Sequence, residues 1–169
     1  MAQYPIILAG MRLTADLLNS MMPLHARKTT TTSRASTIAL ATDPELQVAV
    51  EANAEYTFHA YIRCSGVVAG GISLQFSGPA GSTGSWGART INTGEISSAG
   101  LSSQVRTSIG APKDFEVIST TAAQTVMPVG RLYTAGTAGI FSLDWAQDDS
   151  SATATAVEAD SWFELRRIA

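Results

Sequence analysis

Glu55-Tyr56-Thr57-Phe58-His59-Ala60-Tyr61-Ile62-Arg63-Cys64 decides the class of fold. Apolar and polar residues alternate through all ten positions, so an extended chain puts Tyr56, Phe58, Ala60, Ile62 and Cys64 on one face and Thr57, His59, Tyr61 and Arg63 on the other. A strand of that pattern buries one face and wets the other. Working outward, the same period returns in Leu46-Gln47-Val48-Ala49-Val50 and in Ile72-Ser73-Leu74-Gln75-Phe76. Further strands are expected over 26–33, 36–42, 115–120, 124–133, 140–146, 153–158 and 162–168. Turn signals separate them, among them Asp43-Pro44 and the glycines of 66–71.

Eight to ten short strands with no helical period between them predict an all-β, jelly-roll-like antiparallel two-sheet sandwich. Composition agrees: charged residues make up only 15% of the 169 residues, and Ser, Thr, Ala and Gly abound. The expected division is an N-terminal arm with a short helix over 1–25 and the sandwich over 26–169. One internal likeness, Ile72-Ser73-Leu74-Gln75-Phe76-Ser77 against Phe141-Ser142-Leu143-Asp144-Trp145-Ala146, would fit the paired hairpins of a jelly roll or be coincidence among strands of like composition. The stretch from Arg89 to Leu101 is weakly patterned and reads as a long crossing loop with short strands.

The arm carries the one helical signal. Thr14 is a suitable N-cap, Asp16 sits where the helix dipole favours a negative charge, and Pro23 stops the helix near Met22. Two turns are far below the ~12–15 residues at which an isolated helix becomes even marginal in water, so packing must supply its order. Leu13, Leu17, Leu18, Met21 and Leu24 form an apolar stripe. It covers either the base of its own sandwich or a partner, and the absence of a catalytic constellation favours assembly.

Charge is uneven although the net value is only −3: Arg12, Arg27, Lys28 and Arg34 precede residue 40 against Asp16 alone, while Asp144, Asp148, Asp149, Glu158 and Asp160 crowd 144–160 without a cation. Two solvated faces are the plain reading, and a head-to-tail subunit contact is the functional one. No basic stripe interleaved with aromatics occurs in the sequence, which argues against nucleic acid. No apolar run approaches ~18 residues, which argues against membrane insertion, and no basic region precedes Tyr4–Met11 to make a signal peptide.

Catalytic and cofactor motifs are missing. No Ser lies in a Gly-x-Ser-x-Gly elbow, His25 and His59 lack partners at zinc-ligand spacing, and Gly78–Gly87 lacks the ending of a phosphate loop. The aspartates of 144–149 are not spaced as a calcium loop, and only a site assembled from separate loops stays open there. No metal or cofactor is expected. Cys64 falls on the inward face of its strand as a small buried hydrophobe. Trp86 is expected in an exposed glycine-rich loop, where it either folds back over the end of the sandwich or meets a sugar or protein together with outward Tyr61. Trp145 and Trp162 are expected in the core.

The segments Arg12-Leu13-Thr14-Ala15-Asp16-Leu17-Leu18, Met22-Pro23-Leu24, Val50–Phe58, Gly78–Trp86, Ala152–Val157 and Ser161–Arg167 resemble small structural proteins of actinobacterial tailed phages and prophages. The likeness implies a virion component made in the host cytoplasm: a tail-associated, non-enzymatic protein, or alternatively a capsid decoration or host-glycan-binding module. It implies other virion proteins as partners and an arm used for attachment or self-association; the apolar stripe itself suits a homo-oligomer such as a trimer, and an exposed Trp86 with its neighbouring loops would suit a cell-surface glycan. It transfers no catalytic residue.

Overall fold

The computed structural model describes residues 5, 7–91, 101–103 and 106–169. Among these residues thirteen strands and one helix run in the order α1 (Ala15–Ser20), β1 (Leu24–Arg27), β2 (Thr32–Arg34), β3 (Ala41–Val50), β4 (Glu55–Ser65), β5 (Ile72–Ser77), β6 (Thr83–Ile91), β7 (Leu101–Ser103), β8 (Thr107–Ser108), β9 (Lys113–Phe115), β10 (Gln124–Tyr133), β11 (Gly139–Ala146), β12 (Thr155–Val157) and β13 (Trp162–Arg167). The larger sheet has the order β1-β13-β4-β10-β6-β7, with β2, β8 and β12 attached, and the smaller one β3-β11-β5-β9. Every pairing is antiparallel. The chain alternates between the sheets through β1, β3, β4 and β5, and again through β9, β10, β11 and β13, which is a jelly roll. Strands β6 to β8 are inserted between β5 and β9 and extend the larger sheet beyond β10.

The period-2 reading of β4 holds residue by residue. Tyr56, Phe58, Ala60, Ile62 and Cys64 are all buried, while Thr57, His59, Tyr61 and Arg63 lie on the outer face. Burial pushes the Cys64 thiol up to about 12, and the Glu158 carboxylate adds to the shift, so it is no nucleophile at neutral pH. Between the sheets, Phe76 meets Phe58, Trp86, Phe141 and Phe163 at ring-centroid distances of 4.8–6.4 Å. Phe58 can lie flat against β10 because Gly130 has no side chain; a Cβ there would fall 2.6 Å from the Phe58 ring. The two similar hexapeptides are adjacent strands, paired from Ser77↔Ser142 to Ser73↔Ala146. Their likeness therefore lies at the centre of the smaller sheet, where both carry the same alternation into one core.

Two expected boundaries move. Asp43-Pro44 does not end a strand but sits within β3, where the pairing with β11 slips between Ser142 and Asp144. Asp43 Oδ1 accepts from its own Glu45 and Leu46 amides, so the turn signal is spent on a local irregularity of an edge strand, where proline is tolerated. Gly78–Gly87 is also not one loop: β6 begins at Thr83 and carries Trp86 inward. The expected crossing loop from Arg89 falls mostly on residues 92–100, which lie outside the described residues.

Candidate functional site

Among the predicted site residues, the structure separates one group that is exposed from two residues that are not. Thr14 caps α1 by accepting from the Leu17 amide at 3.2 Å, as its position predicts. None of the six residues of α1 is buried; Leu13, Leu18 and Met21 are 63%, 51% and 48% exposed, and Leu17 is half-buried. Ile7, Leu8, Met11 and Met22 are exposed as well, so the arm presents an apolar surface that its own sandwich does not cover.

Leu24 leaves this group. It opens β1, pairs with Leu165 and packs against the core, because the chain past Pro23 turns extended and the spacing of three from Met21 no longer measures a helix. Trp86 leaves the ligand-contact group altogether. It is 1% exposed, with its ring edge-on to Phe76 at 5.2 Å and tilted against Phe115 at 6.3 Å. Glycines on either side suggested a loop, but the alternation Trp86, Ala88 is that of a strand whose inward positions are buried.

Trp162 moves the opposite way. It is half-buried on the outer face of the larger sheet, in a row of aromatics that sequence spacing could not assemble. Tyr61 lies nearly parallel to it at 6.3 Å and 15°, His25 stacks on it at 6.2 Å, and His59 meets it edge-on at 5.2 Å. The register explains the grouping: Trp162 stands between Arg27 of β1 and Tyr61 of β4, and next to it Glu164 stands between His25 and His59. Tyr61 is thus outward as expected, but its companions are His25, His59 and Trp162 rather than Trp86.

The basic start and acidic end of the chain meet within one molecule, since β1 pairs with β13. Arg27 bonds Asp160, Thr31 donates to Glu158 at 2.9 Å, and Arg63 lies 3.8 Å from Asp160. Lys28 is wholly buried rather than solvated: its Nζ is 2.8 Å from Asp43 Oδ2 and 2.7 Å from the Thr32 hydroxyl. Asp43 Oδ2 also accepts from the Trp145 indole N–H at 3.1 Å. A few ångströms away Glu45 accepts from the hydroxyls and amides of Thr29 and Thr30. Those bonds, the Thr29 hydroxyl foremost, bring its carboxyl from an ordinary 4.5 down to about 2.

A depressed carboxyl contributes stability that is present above its unfolded value and lost as pH falls towards the folded one. Thermal unfolding should therefore show a drop in midpoint between about pH 5 and pH 2 that flattens in Glu45→Gln, the two proteins converging at the acid end. Parallel curves over that range would show that Glu45 does not clamp the 29–30 segment.

Of the tail acids, Asp144 sits in β11 and accepts from the hydroxyls of Thr42, Ser77 and Ser142. Asp148 is held above the usual carboxylate range by burial and by Asp114, Asp149 and Glu116, a repulsive grouping. Among the described residues no three His, Cys, Asp or Glu side chains are arranged to hold a metal ion, and no helix is long and apolar enough to cross a membrane.

Fold and site together define an antiparallel jelly-roll sandwich with an uncovered apolar arm. No family model matches the chain, and no curated protein matches it. Among solved structures it is similar to the Eiger TNF from S. frugiperda, at 12% identity over 87% of this chain and 93% of that one, with a TM-score of 0.39. It is also similar to a structure of infectious bursal disease virus, Gx strain, at 11% identity over 87% and 40%, TM-score 0.22. A third is the VP2 subviral particle of that virus, at 10% identity over 88% and 41%, TM-score 0.22. The chain spans about two fifths of those viral chains. The jelly-roll assignment rests on the strand registers given above.

Proposed function

We propose that the chain is a non-enzymatic structural subunit of a virion, tail-associated, which assembles through its N-terminal arm and displays the sandwich outward. One observation carries this reading: a capped helix of six residues has no buried side chain, yet Leu13, Leu18 and Met21 are large and apolar. A helix this short has neither the length to persist alone nor a covering from its own domain. Exposed apolar surface of this kind is stabilised by a partner. The resemblance of the arm and of several sandwich segments to phage structural proteins supplies the setting. Three copies of the stripe, or one copy and a neighbouring virion protein, would give the arm the core it lacks.

Substituting Leu13, Leu17, Leu18 and Met21 together by serine in the full chain tests the reading. Light scattering is expected to show an oligomer for the native chain and the mass of one chain for the variant, with the unfolding midpoint of the sandwich unchanged. Cutting the chain at residue 26 would be a poor substitute, since it removes Leu24 and His25 from β1. An oligomer of unchanged mass in the variant, or a native chain that is monomeric at high concentration, would remove the arm as a self-association device.

A further inference from the structure

The outer face of the larger sheet gathers six of the chain's eleven Lys and Arg residues: Arg27, Arg63, Arg89, Arg106, Arg131 and Arg166. The register brings them together from five strands and one loop. Arg27 flanks Trp162, Arg166 stands beside Thr57 of β4, Thr57 stands beside Arg131 of β10, and Arg131 beside Ser85 of β6. Arg89 lies two repeats of the pleat further along β6, opposite Met127. Arg106, ahead of β8, lines with Ser85, Gly87, Val129 and Arg131 a shallow cavity of about 470 Å³.

Among the described residues four carboxylates share this face, one of them Glu158, which accepts from the hydroxyls of Ser65 and Thr31. Asp160 is engaged by Arg27 and Arg63, Glu55 is 2.7 Å from Arg131, and Glu164 lies between His25 and His59. Arg89, Arg106 and Arg166 form no ion pair among the described residues. A protein of net charge −3 thus carries an excess of guanidinium on one face, while Glu45, Asp114, Glu116, Asp144, Asp148 and Asp149 lie on or beside the other sheet. Such a distribution draws a polyanion to one side of the molecule and repels it from the other.

We propose that this face binds an acidic polysaccharide, a chain with a carboxylate on repeated sugar residues. Guanidinium groups at intervals across a flat sheet match such carboxylates in a paired, planar geometry. Between them the face presents hydroxyls, those of Thr57, Tyr61, Ser85 and Tyr133, which match the hydroxyls of a sugar. The aromatic row favours a polysaccharide over single-stranded nucleic acid: His25 and Tyr61 flank Trp162 from the two neighbouring strands, so the indole, the largest ring a base could stack on, is already flanked on both sides. The inference stands apart from the role of the arm, because its residues lie on the sandwich and its readout is binding rather than mass.

The test uses the full chain and polygalacturonate at about 50 mM salt, followed by the fluorescence of Trp162, the one tryptophan that is not buried. Saturable binding is expected, weakening steeply as salt is raised. Arg106→Glu and Arg166→Glu should each weaken it about fivefold or more, whereas Lys113→Glu, an equal change of net charge on β9 of the smaller sheet, should change it less than twofold. Far-UV circular dichroism confirms that each variant is folded. Absence of saturable binding overturns the proposal, and so does an equal loss in Lys113→Glu, which would reduce the effect to net charge. Tighter binding of a single-stranded DNA of matched charge also overturns it, in favour of a nucleic-acid surface.

Discussion

Asp43→Ala is expected to lower the unfolding free energy by about 3–5 kcal/mol, the range for removing one partner of a buried ion pair. Both side chains of the Lys28–Asp43 pair are fully inaccessible. Without the carboxylate, the Lys28 ammonium keeps the Thr32 hydroxyl and Glu45 at 3.7 Å, and neither replaces two oxygens at 2.8 and 3.0 Å. The Trp145 indole N–H and the amides of Glu45 and Leu46 lose their acceptor at the same time. Buried donors without acceptors cost about 1–3 kcal/mol each before relaxation, so the effect cannot be confined to the ion pair. Asp43→Asn should cost less, since its remaining oxygen still serves some of these donors. Lys28→Met should also cost less than Asp43→Ala, because the carboxylate left behind keeps three N–H donors. Denaturant unfolding with an unchanged slope measures all three. A loss below about 1 kcal/mol for Asp43→Ala would mean that water reaches the pair.

That network explains why the sequence was legible in some strands and not in others. In β4 every inward position is apolar and every outward one is polar or tolerant of water, so local pattern and tertiary burial agree. In β3 the local pattern says turn. Asp43-Pro44 earns that reading by its own hydrogen bonds to Glu45 and Leu46, but the carboxylate is also the acceptor for a lysine and a tryptophan from distant segments. No one-dimensional pattern reports such a partner. Lys28 was likewise read as a surface charge, since lysine is almost never fully buried unless paired, and its partner is fifteen residues away.

The candidate surfaces divide in the same manner. The arm is a local feature, and its cap, its stop and its apolar stripe were all visible in consecutive residues; Leu24 failed only because Pro23 changes the period from helix to strand. The aromatic row and the arginine face were invisible because Arg27, Arg63, Arg89, Arg131 and Trp162 lie on five strands scattered through the chain. What joins them is the order β1-β13-β4-β10-β6, a property of the topology. A search of the sequence for clustered basic residues finds none, because these arginines become neighbours only in the folded sheet.

Trp86→Ala is expected to cost about 3–5 kcal/mol, the range for emptying a large aromatic site in a well-packed core. The ring is among the largest fully buried side chains, and from β6 of the larger sheet it meets Phe76 of β5 and Phe115 of β9, both on the smaller one. Removing it therefore opens a cavity at the place where the inserted strand β6 is fastened to the jelly roll. Trp86→Phe separates volume from polarity. The indole Nε1 is buried without a hydrogen-bond partner among the described residues, so phenylalanine removes that donor while keeping an aromatic ring against Phe76. Its cost should be well below that of alanine. Neither substitution should weaken the binding of polygalacturonate by the folded protein, since the side chain faces the core and not the arginine surface. A Trp86→Ala variant of native stability, or a folded Trp86→Phe variant that no longer bound the polysaccharide, would return Trp86 to the surface where a glycine-rich loop had first placed it.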